Sequence, residues 1–555
     1  MGGVERIVLV GFSGTGKTTT SRLLADALGW SAADCDDEIV SQWSTDVPSI
    51  FREHGEQAFR ASERTILGEL LQRTNTVIAT GGGAVIDARS WDSDLLGRPG
   101  TLVIALDATP ETILARLQRQ TAEAGAAVER PMLASSEPLT RIHTLKCDRQ
   151  SAYDNAHITV SVDGVSAAAA AGELVKIARL EMGQPLSVRL DTPSGVSNIV
   201  VARDGLRDIG ERTRNEWPTT RRAWVVTDAN VGPLHAPAVT RSLEDAGLSV
   251  DVFRVAAGES SKSLRVAEDL YDWLLGNGIE RGDVVVALGG GMVGDLAGFV
   301  AATVLRGVGL VQVPTTLLAT VDSSVGGKTG INHAVGKNLI GAFLQPPLVI
   351  ADTAVLRTVP ARELRSGWAE VIKHAVIQKS TPGGDRGDLM SLLERNAARL
   401  ERLEEPVTSY LIWRNIALKS AVVAADEREA GIRAFLNFGH TLGHAIEAAD
   451  YQLLHGEAVS LGIRAALDIG VSCGTCRAED AHHVQRLLNE FDLPEAATFD
   501  EEQVLAKLGS DKKRVDGRQR FVLPLSGGGV IIRDDVSEDA VRQALATVNA
   551  PKAAA

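Results

Sequence analysis

The chain has 555 residues, 44% apolar and 23% charged, with a formal net charge of -14. That length exceeds what one hydrophobic core organises and implies two or three domains, while the acidic balance argues against a protein that neutralises nucleic-acid phosphates. Four cysteines make no disulfide framework, and no apolar run approaches the roughly 18 residues of a membrane span, so a cytoplasmic enzyme with no nucleic-acid or membrane partner is expected.

In chain order, "RIVLV" reads as a strand. The next segment, "GFSGTGKT" (Gly11 to Thr18), fits G-x-x-x-x-G-K-[ST] at every fixed position and opens the helical "TTTSRLLADALG". This strand–loop–helix context is what a phosphate cradle requires. Backbone N–H groups of Gly14, Thr15, Gly16 and their neighbours up to Thr19 can face phosphate oxygens. Lys17 can reach the β and γ phosphates, and the Thr18 hydroxyl can hold Mg2+. Downstream come Asp34 and Asp36 in "ADCDDE", Arg60 in "GEQAFRASE", Gly82 in "ATGGGAV", Arg130 in "ERPML" and Arg149 in "DRQSAYDNA". Any one of these charges is more often a solvated surface group; their joint order beside a phosphate loop is not. The strands "TVIAT" and "TLVIAL" alternate with helical patterns, the mark of an α/β domain with a mainly parallel sheet. An alanine-rich helix in 162–185, broken by "MGQP", closes it. The first domain is therefore placed at 1–183.

Across nearly all of that domain the motifs resemble shikimate kinase. The resemblance implies ATP with Mg2+ and a shikimate acceptor. Asp36 would bind the acceptor hydroxyls and orient the attacking one, and Arg60 and Arg149 would clamp its carboxylate. Gly82 would let backbone approach the ring, Asp34 would serve the magnesium side, and Arg130 would close a lid over the phosphates. Ala33 and Val40 depart from the family pattern, which has an aromatic and an acidic residue there.

Beyond the linker, "NIVVA", "AWVVTD", "VVVALGGG" and "VGLVQVP" read as strands, and the pattern turns helical near residue 352. The second domain, 184–555, thus divides into an α/β lobe (186–351) and a helical lobe (352–555). Asp228 ends a strand where a carboxylate can accept from ribose hydroxyls. Glu259, Lys262, Thr315, Thr316 and the turn "ALGGGMVGD", with Gly291, Gly294 and Asp295, complete a plausible coenzyme site. "VDSSVGGKTGINHAVGKN" crowds Asp322, Lys328, Lys337 and Asn338 together, and with Arg306 they suit a phosphorylated, polyhydroxylated substrate. "RSGWAEVIKHAVI" places Glu370 and Lys373 one helical turn apart. Lys419, Arg433, Asn437, His440, His444 and His455 follow. His440 and His444 mimic H-E-x-x-H spacing, but Thr441 stands where a metalloprotease needs glutamate. Cys473 and Cys476, with His482 and His483 nearby, fit no common zinc module.

From about Ser187 onward, "GGGMVGDLAGF", "VDSSVGGKTG", "AEVIK" and "LNFGHTLGHAIE" occur in the order of 3-dehydroquinate synthase, which the chain resembles. The resemblance implies conversion of 3-deoxy-D-arabino-heptulosonate 7-phosphate to 3-dehydroquinate and phosphate. It implies NAD+ along Asp228, Glu259, Lys262, Gly291, Gly294, Asp295, Thr315, Thr316, Asp322, Lys328 and Lys337. It implies Zn2+, or Co2+ in its place, on Glu370, His440 and His455, with His444 facing the substrate phosphate. Lys328, Lys373 and Lys419 would supply catalytic positive charge. Arg306, Asn338, Arg433 and Asn437 would bind substrate, with Lys512 or Lys513 completing the site. The family is commonly dimeric, so a homodimer is the default expectation. The alternatives are another sugar-phosphate cyclase or a zinc polyol dehydrogenase, joined to a different small-molecule kinase or to an ATP-sensing domain. Separate halves cut near Gln184 are expected to distinguish them.

Overall fold

The structure is a computed structural model that describes residues 3–124, 137–384, 387–449, 452–509 and 519–550. It forms two compact units. In the first, β1 (Arg6–Val10), α1 (Lys17–Leu28), β2 (Ser31–Asp34), α2 (Cys35–Trp43), α3 (Val47–Leu70), β3 (Thr76–Ala79), β4 (Thr101–Asp107), α4 (Pro110–Ala124), α5 (Pro138–Tyr153), β5 (Ile158–Ser161) and α6 (Ala167–Glu181) follow one another. The five strands pair in parallel in the order β2-β3-β1-β4-β5. All five residues of β1 are buried, as expected of a strand covered on both faces. The chain leaves β1 at its carboxyl end, where open parallel sheets bind ligands.

The second unit opens with β6 (Leu186–Thr192), β7 (Gly195–Ala202), α7 (Ile209–Glu216), β8 (Arg222–Asp228), α8 (Gly232–Asp245), β9 (Ser249–Val255), α9 (Leu264–Gly276), β10 (Val284–Gly289), α10 (Gly291–Thr303), β11 (Gly309–Pro314), a hairpin of β12 (Lys328–His333) and β13 (Gly336–Phe343), and β14 (Leu348–Asp352). Seven of these strands make the sheet β6-β7-β14-β11-β10-β8-β9, parallel except for the β6–β7 hairpin. Helices then dominate: α11 (Ala361–Ile377), α12 (Leu389–Glu401), α13 (Val407–Ala425), α14 (His440–Ala449), α15 (His455–Ser472), α16 (Ala478–Glu490) and α17 (Glu501–Gly509). A short hairpin, β15 (Phe521–Pro524) with β16 (Val530–Arg533), and α18 (Glu538–Val548) follow. The fold is α/β with a helical C-terminal lobe, as the sequence pattern implies. No helix among the described residues is long and apolar enough to cross a membrane.

One segment departs from the sequence reading, which assigned all of 352–555 to the helical lobe. Residues 385–410 belong to the first compact unit. There α12 lies along the edge strand β5. The Asn396 amide accepts from the Thr159 N–H and donates to its C=O, both at 2.9 Å. Arg395 pairs with Asp107 at 2.9 Å, and Arg399 donates to the Asp154 carbonyl at 2.6 Å. An amphipathic helix announces that it will bury one face; it does not announce against which sheet.

Candidate active sites

In the first unit, Gly14 and Gly16 sit at φ 88° and 94°, a region that L side chains resist. That conformation lets the loop wind into the N-terminus of α1. The Lys17 ammonium is buried and donates to the carbonyls of Gly11 and Phe12, each at 2.9 Å. Thr18 Oγ1 donates to Asp34 Oδ2 at 2.6 Å, so the hydroxyl and carboxylate expected on the magnesium side stand together. Asp34 also caps α2 through the Asp36 N–H at 2.9 Å. The loop, an ammonium and a hydroxyl–carboxylate pair suit a metal-bound nucleotide chemically.

The acceptor residues converge on the glycine turn after β3. Arg149 Nη1 and the Tyr153 hydroxyl donate to the Gly82 carbonyl at 3.3 and 2.6 Å. A Cβ on Gly82 would stand 3.0 Å from the Ser13 amide, so no larger residue fits there without moving the phosphate loop. Arg60 donates to Glu63 Oε2 at 2.6 Å. Glu63, which the sequence reading quotes with Arg60 but gives no role, is buried, and burial lifts its carboxyl although Arg60 opposes the shift. A Cβ on Gly81 would meet Glu63 Oε1 at 2.2 Å and Asp36 Oδ1 at 3.0 Å, which locates both carboxylates beside this turn. Glu63 follows Arg60 by three residues on α3, a local signal that was available. Arg116 on α4 was also missed; it donates to the carbonyls of Thr15 at 3.1 Å and Val162 at 2.6 Å. Arg130 lies outside the described residues. Ala33 is buried within β2, whereas Val40 is an exposed residue of α2.

In the second unit, β10 ends in the turn that starts α10. Added Cβ atoms on Gly291 and Gly294 would stand 3.1 Å from Ser323 Oγ and 2.8 Å from Gln312 Oε1. Asp295 pairs with buried Lys262 at 2.5 Å; burial raises the Asp295 carboxyl and Lys262 opposes it. Glu259 accepts from Asn332 at 2.7 Å. Asp228 Oδ1 accepts from the N–H groups of Asn230 and Val231 at 2.8 and 2.9 Å. Thr316 Oγ1 accepts from the Ala319 N–H at 3.2 Å, and Thr315 is buried at the end of β11.

The helical lobe brings the remaining residues together. Glu370 is fully buried on α11. Its Oε2 pairs with Lys373, and its Oε1 lies 3.3 Å from His440 Nε2 and 3.6 Å from His455 Nε2. His440 turns Nδ1 to the Phe438 carbonyl at 3.1 Å, and His455 turns Nδ1 to Glu447 at 3.2 Å. Both inner Nε2 atoms therefore face one carboxylate oxygen. His444 is the exposed third imidazole, with ring centres 5.1 Å from His440 and 5.6 Å from His455. Burial alone would raise the Glu370 carboxyl, but Lys373 and the imidazoles hold it well below the usual range. Burial opposes the His455 imidazolium, yet its hydrogen bonds to Glu370 and Glu447 push it up to about 10. Two imidazole nitrogens and a carboxylate oxygen that converge in one pocket fit a divalent cation.

Around it, Lys419 donates to Asp322 Oδ1 at 2.6 Å, and Lys373 lies 3.9 Å from the same oxygen. Lys328 pairs with Glu429, which also accepts from Asn437 at 2.5 Å. Arg433 is buried and donates to the carbonyls of Glu427 and Gly326. Asn338 adopts φ 57° and donates its N–H to Asn332. Arg306 is exposed at φ 68°, and among the described residues no hydrogen bond or ion pair joins it to this cluster. His374, unassigned in the sequence reading, is fully buried; burial pushes it down to about 3, and it meets Asn415 Oδ1 at 3.1 Å. Lys512 and Lys513 lie outside the described residues, and Cys473 and Cys476 are free thiols.

Lys419 carries a pH prediction. Burial lowers it to about 8, with Asp322 opposing and Lys373 and Arg433 adding repulsion. Its charge is present below that value and lost above it. The kcat/KM of the reaction served by this cluster is expected to fall as pH rises through about 8, and Lys419→Arg, whose guanidinium stays charged, is expected to remove that limb. A pH–rate profile of both proteins checks this.

Family profiles for the N-terminal and C-terminal parts of 3-dehydroquinate synthase match residues 252–366 and 367–514, and the shikimate kinase profile matches 13–179. The 3-dehydroquinate synthase of Symbiobacterium thermophilum is 45% identical over 351 residues, covering 62% of this chain and 96% of that protein. That of Caulobacter vibrioides is 44% identical over 353 residues, covering 62% and 94%. A solved 2-epi-5-epi-valiolone synthase from Streptomyces hygroscopicus, with NAD+ and Zn2+ bound, superposes with a TM-score of 0.59 at 26% identity, covering 65% of this chain and 99% of its own. Matched along almost the full length of these synthases, the chain belongs to the 3-dehydroquinate synthase family and carries a shikimate kinase domain fused on the N-terminal side, which makes it a bifunctional enzyme.

Proposed function

We propose that the kinase activity uses ATP with Mg2+ on the Gly11–Thr18 loop, and that the synthase activity uses NAD+ together with Zn2+, or Co2+, on Glu370, His440 and His455. The observation that carries the reading is the convergence of His440 Nε2 and His455 Nε2 on one oxygen of the buried Glu370. The 2-epi-5-epi-valiolone synthase, solved with NAD+ and Zn2+, supports it.

In the kinase unit, Lys17 holds the terminal phosphates and stabilises charge that spreads during transfer. Thr18 and Asp34 serve the magnesium side. Asp36 orients the attacking hydroxyl, and Arg60 and Arg149 grip the shikimate carboxylate as planar forks. Glu63 keeps the Arg60 guanidinium in place through its hydrogen bond.

In the synthase unit, NAD+ supplies transient oxidation at C5 of the heptulosonate phosphate, and the divalent cation supplies Lewis acidity at the oxygen there. The chain does the positioning. Lys373, fixed between Glu370 and Asp322, and Lys419 present positive charge to the substrate's anionic groups. Lys328 and Asn437, joined through Glu429, and His444 bind the substrate's phosphate and hydroxyls. Asp295, Lys262 and Glu259, beside the α10 turn, suit the coenzyme.

The deciding experiment supplies heptulosonate 7-phosphate to the full chain. Phosphate release with no net NADH supports the cyclase reading, whereas accumulating NADH favours a polyol dehydrogenase. A zinc-selective chelator in Mg2+-replete buffer is expected to stop phosphate release and leave shikimate phosphorylation intact; loss of neither activity would overturn the metal assignment.

A further inference from the structure

Glu447, near the end of α14, has a buried carboxylate held on two sides. Oε1 accepts from Lys337 Nζ at 2.6 Å, and Oε2 faces His455 Nδ1 at 3.2 Å. His455 is thus gripped at both ring nitrogens, with Glu447 on the outer one and Glu370 on the inner one. His440 differs, since among the described residues its outer nitrogen faces a backbone carbonyl. Lys337 comes from β13 of the β12–β13 hairpin, which also carries Lys328.

We propose that Glu447 is the positioning residue of the metal centre: its carboxylate fixes the His455 tautomer with Nδ1 protonated and Nε2 turned inward, and Lys337 balances its charge. The inference rests on the metal reading of Glu370, His440 and His455. An imidazole can offer only one lone pair to a cation, and the hydrogen bond at the other nitrogen decides which. A carboxylate acceptor does more than a carbonyl, because it draws on the N–H and makes the opposite nitrogen a stronger donor. The Lys337 ammonium on Oε1 leaves Oε2 facing the His455 Nδ1. Of the two imidazoles, His455 is therefore the better donor.

The test measures Zn2+ affinity of the full chain by chelator competition, alongside the Co2+ absorption spectrum and thermal melting of metal-free protein. Glu447→Gln is expected to weaken Zn2+ binding about 10- to 100-fold and to alter the Co2+ spectrum, with metal-free melting unchanged. Equal Zn2+ affinity in the two proteins overturns the inference. A fall in metal-free melting that accounts for the weaker binding also overturns it, because the carboxylate then acts on the fold alone. If wild-type protein binds no Zn2+ saturably, the metal reading itself fails, a distinct outcome. Should Glu447→Gln not fold, 15N-histidine spectra of the wild-type Zn2+ protein decide: His455 bound through Nε2 with a protonated Nδ1 supports the proposal, and binding through Nδ1 refutes it.

Discussion

Replacing His455 with alanine is expected to lower synthase turnover by about a thousandfold or more while shikimate phosphorylation proceeds at the wild-type rate. The magnitude follows from what the proposed metal centre would supply. Lewis-acid stabilisation of an oxygen supplies several kcal/mol, and at about 1.4 kcal/mol per tenfold, a loss of roughly 4 kcal/mol gives the figure. His455 contributes one of two imidazole nitrogens aimed at Glu370 Oε1. Its removal also leaves Glu447 without one of its two partners. Steady-state assays of both activities on the same preparation, with bound metal quantified, check the result. Near-normal cyclisation with metal retained would remove His455 from the centre.

Lys17→Met is expected to do the reverse. Kinase kcat should fall about 10²- to 10³-fold, the range seen when one preorganised electrostatic partner of a transition state is removed, and synthase rates should not change. Methionine keeps much of the volume but brings no charge, and the carbonyls of Gly11 and Phe12 lose their donor. A coupled ADP-release assay reads the first effect and phosphate release the second. If either substitution silenced both activities in protein that still melts normally, the two sites would not be chemically independent.

Much of this chemistry could be read in the chain because the residues concerned are packed into short motifs. The phosphate loop, "AEVIK" and "NFGHTLGH" each carry their own spacing, and each falls on the element that the hydrophobic period implies. Glu447 was part of a quoted motif, yet its partner lies eight residues on, across the α14–α15 connection, and no helical period links them. His374 stands beside Lys373 in the sequence, and an isolated histidine there is equally consistent with plain packing. Arg306, expected beside Lys328 and Lys337, is exposed, and among the described residues no hydrogen bond or ion pair ties it to that cluster. The membership of α12 in the first unit was invisible, because "LMSLLERNAARLE" specifies an apolar stripe and not the surface that receives it.

That helix bears on how the polypeptide is made. The kinase sheet's last strand waits for Asn396, which leaves the ribosome about two hundred residues after the rest of the unit. At ordinary elongation rates that is a delay of roughly ten to forty seconds. Throughout it, the Thr159 backbone lacks its amide partner on a strand edge that could recruit another chain. Truncation at residue 184 would make the delay permanent.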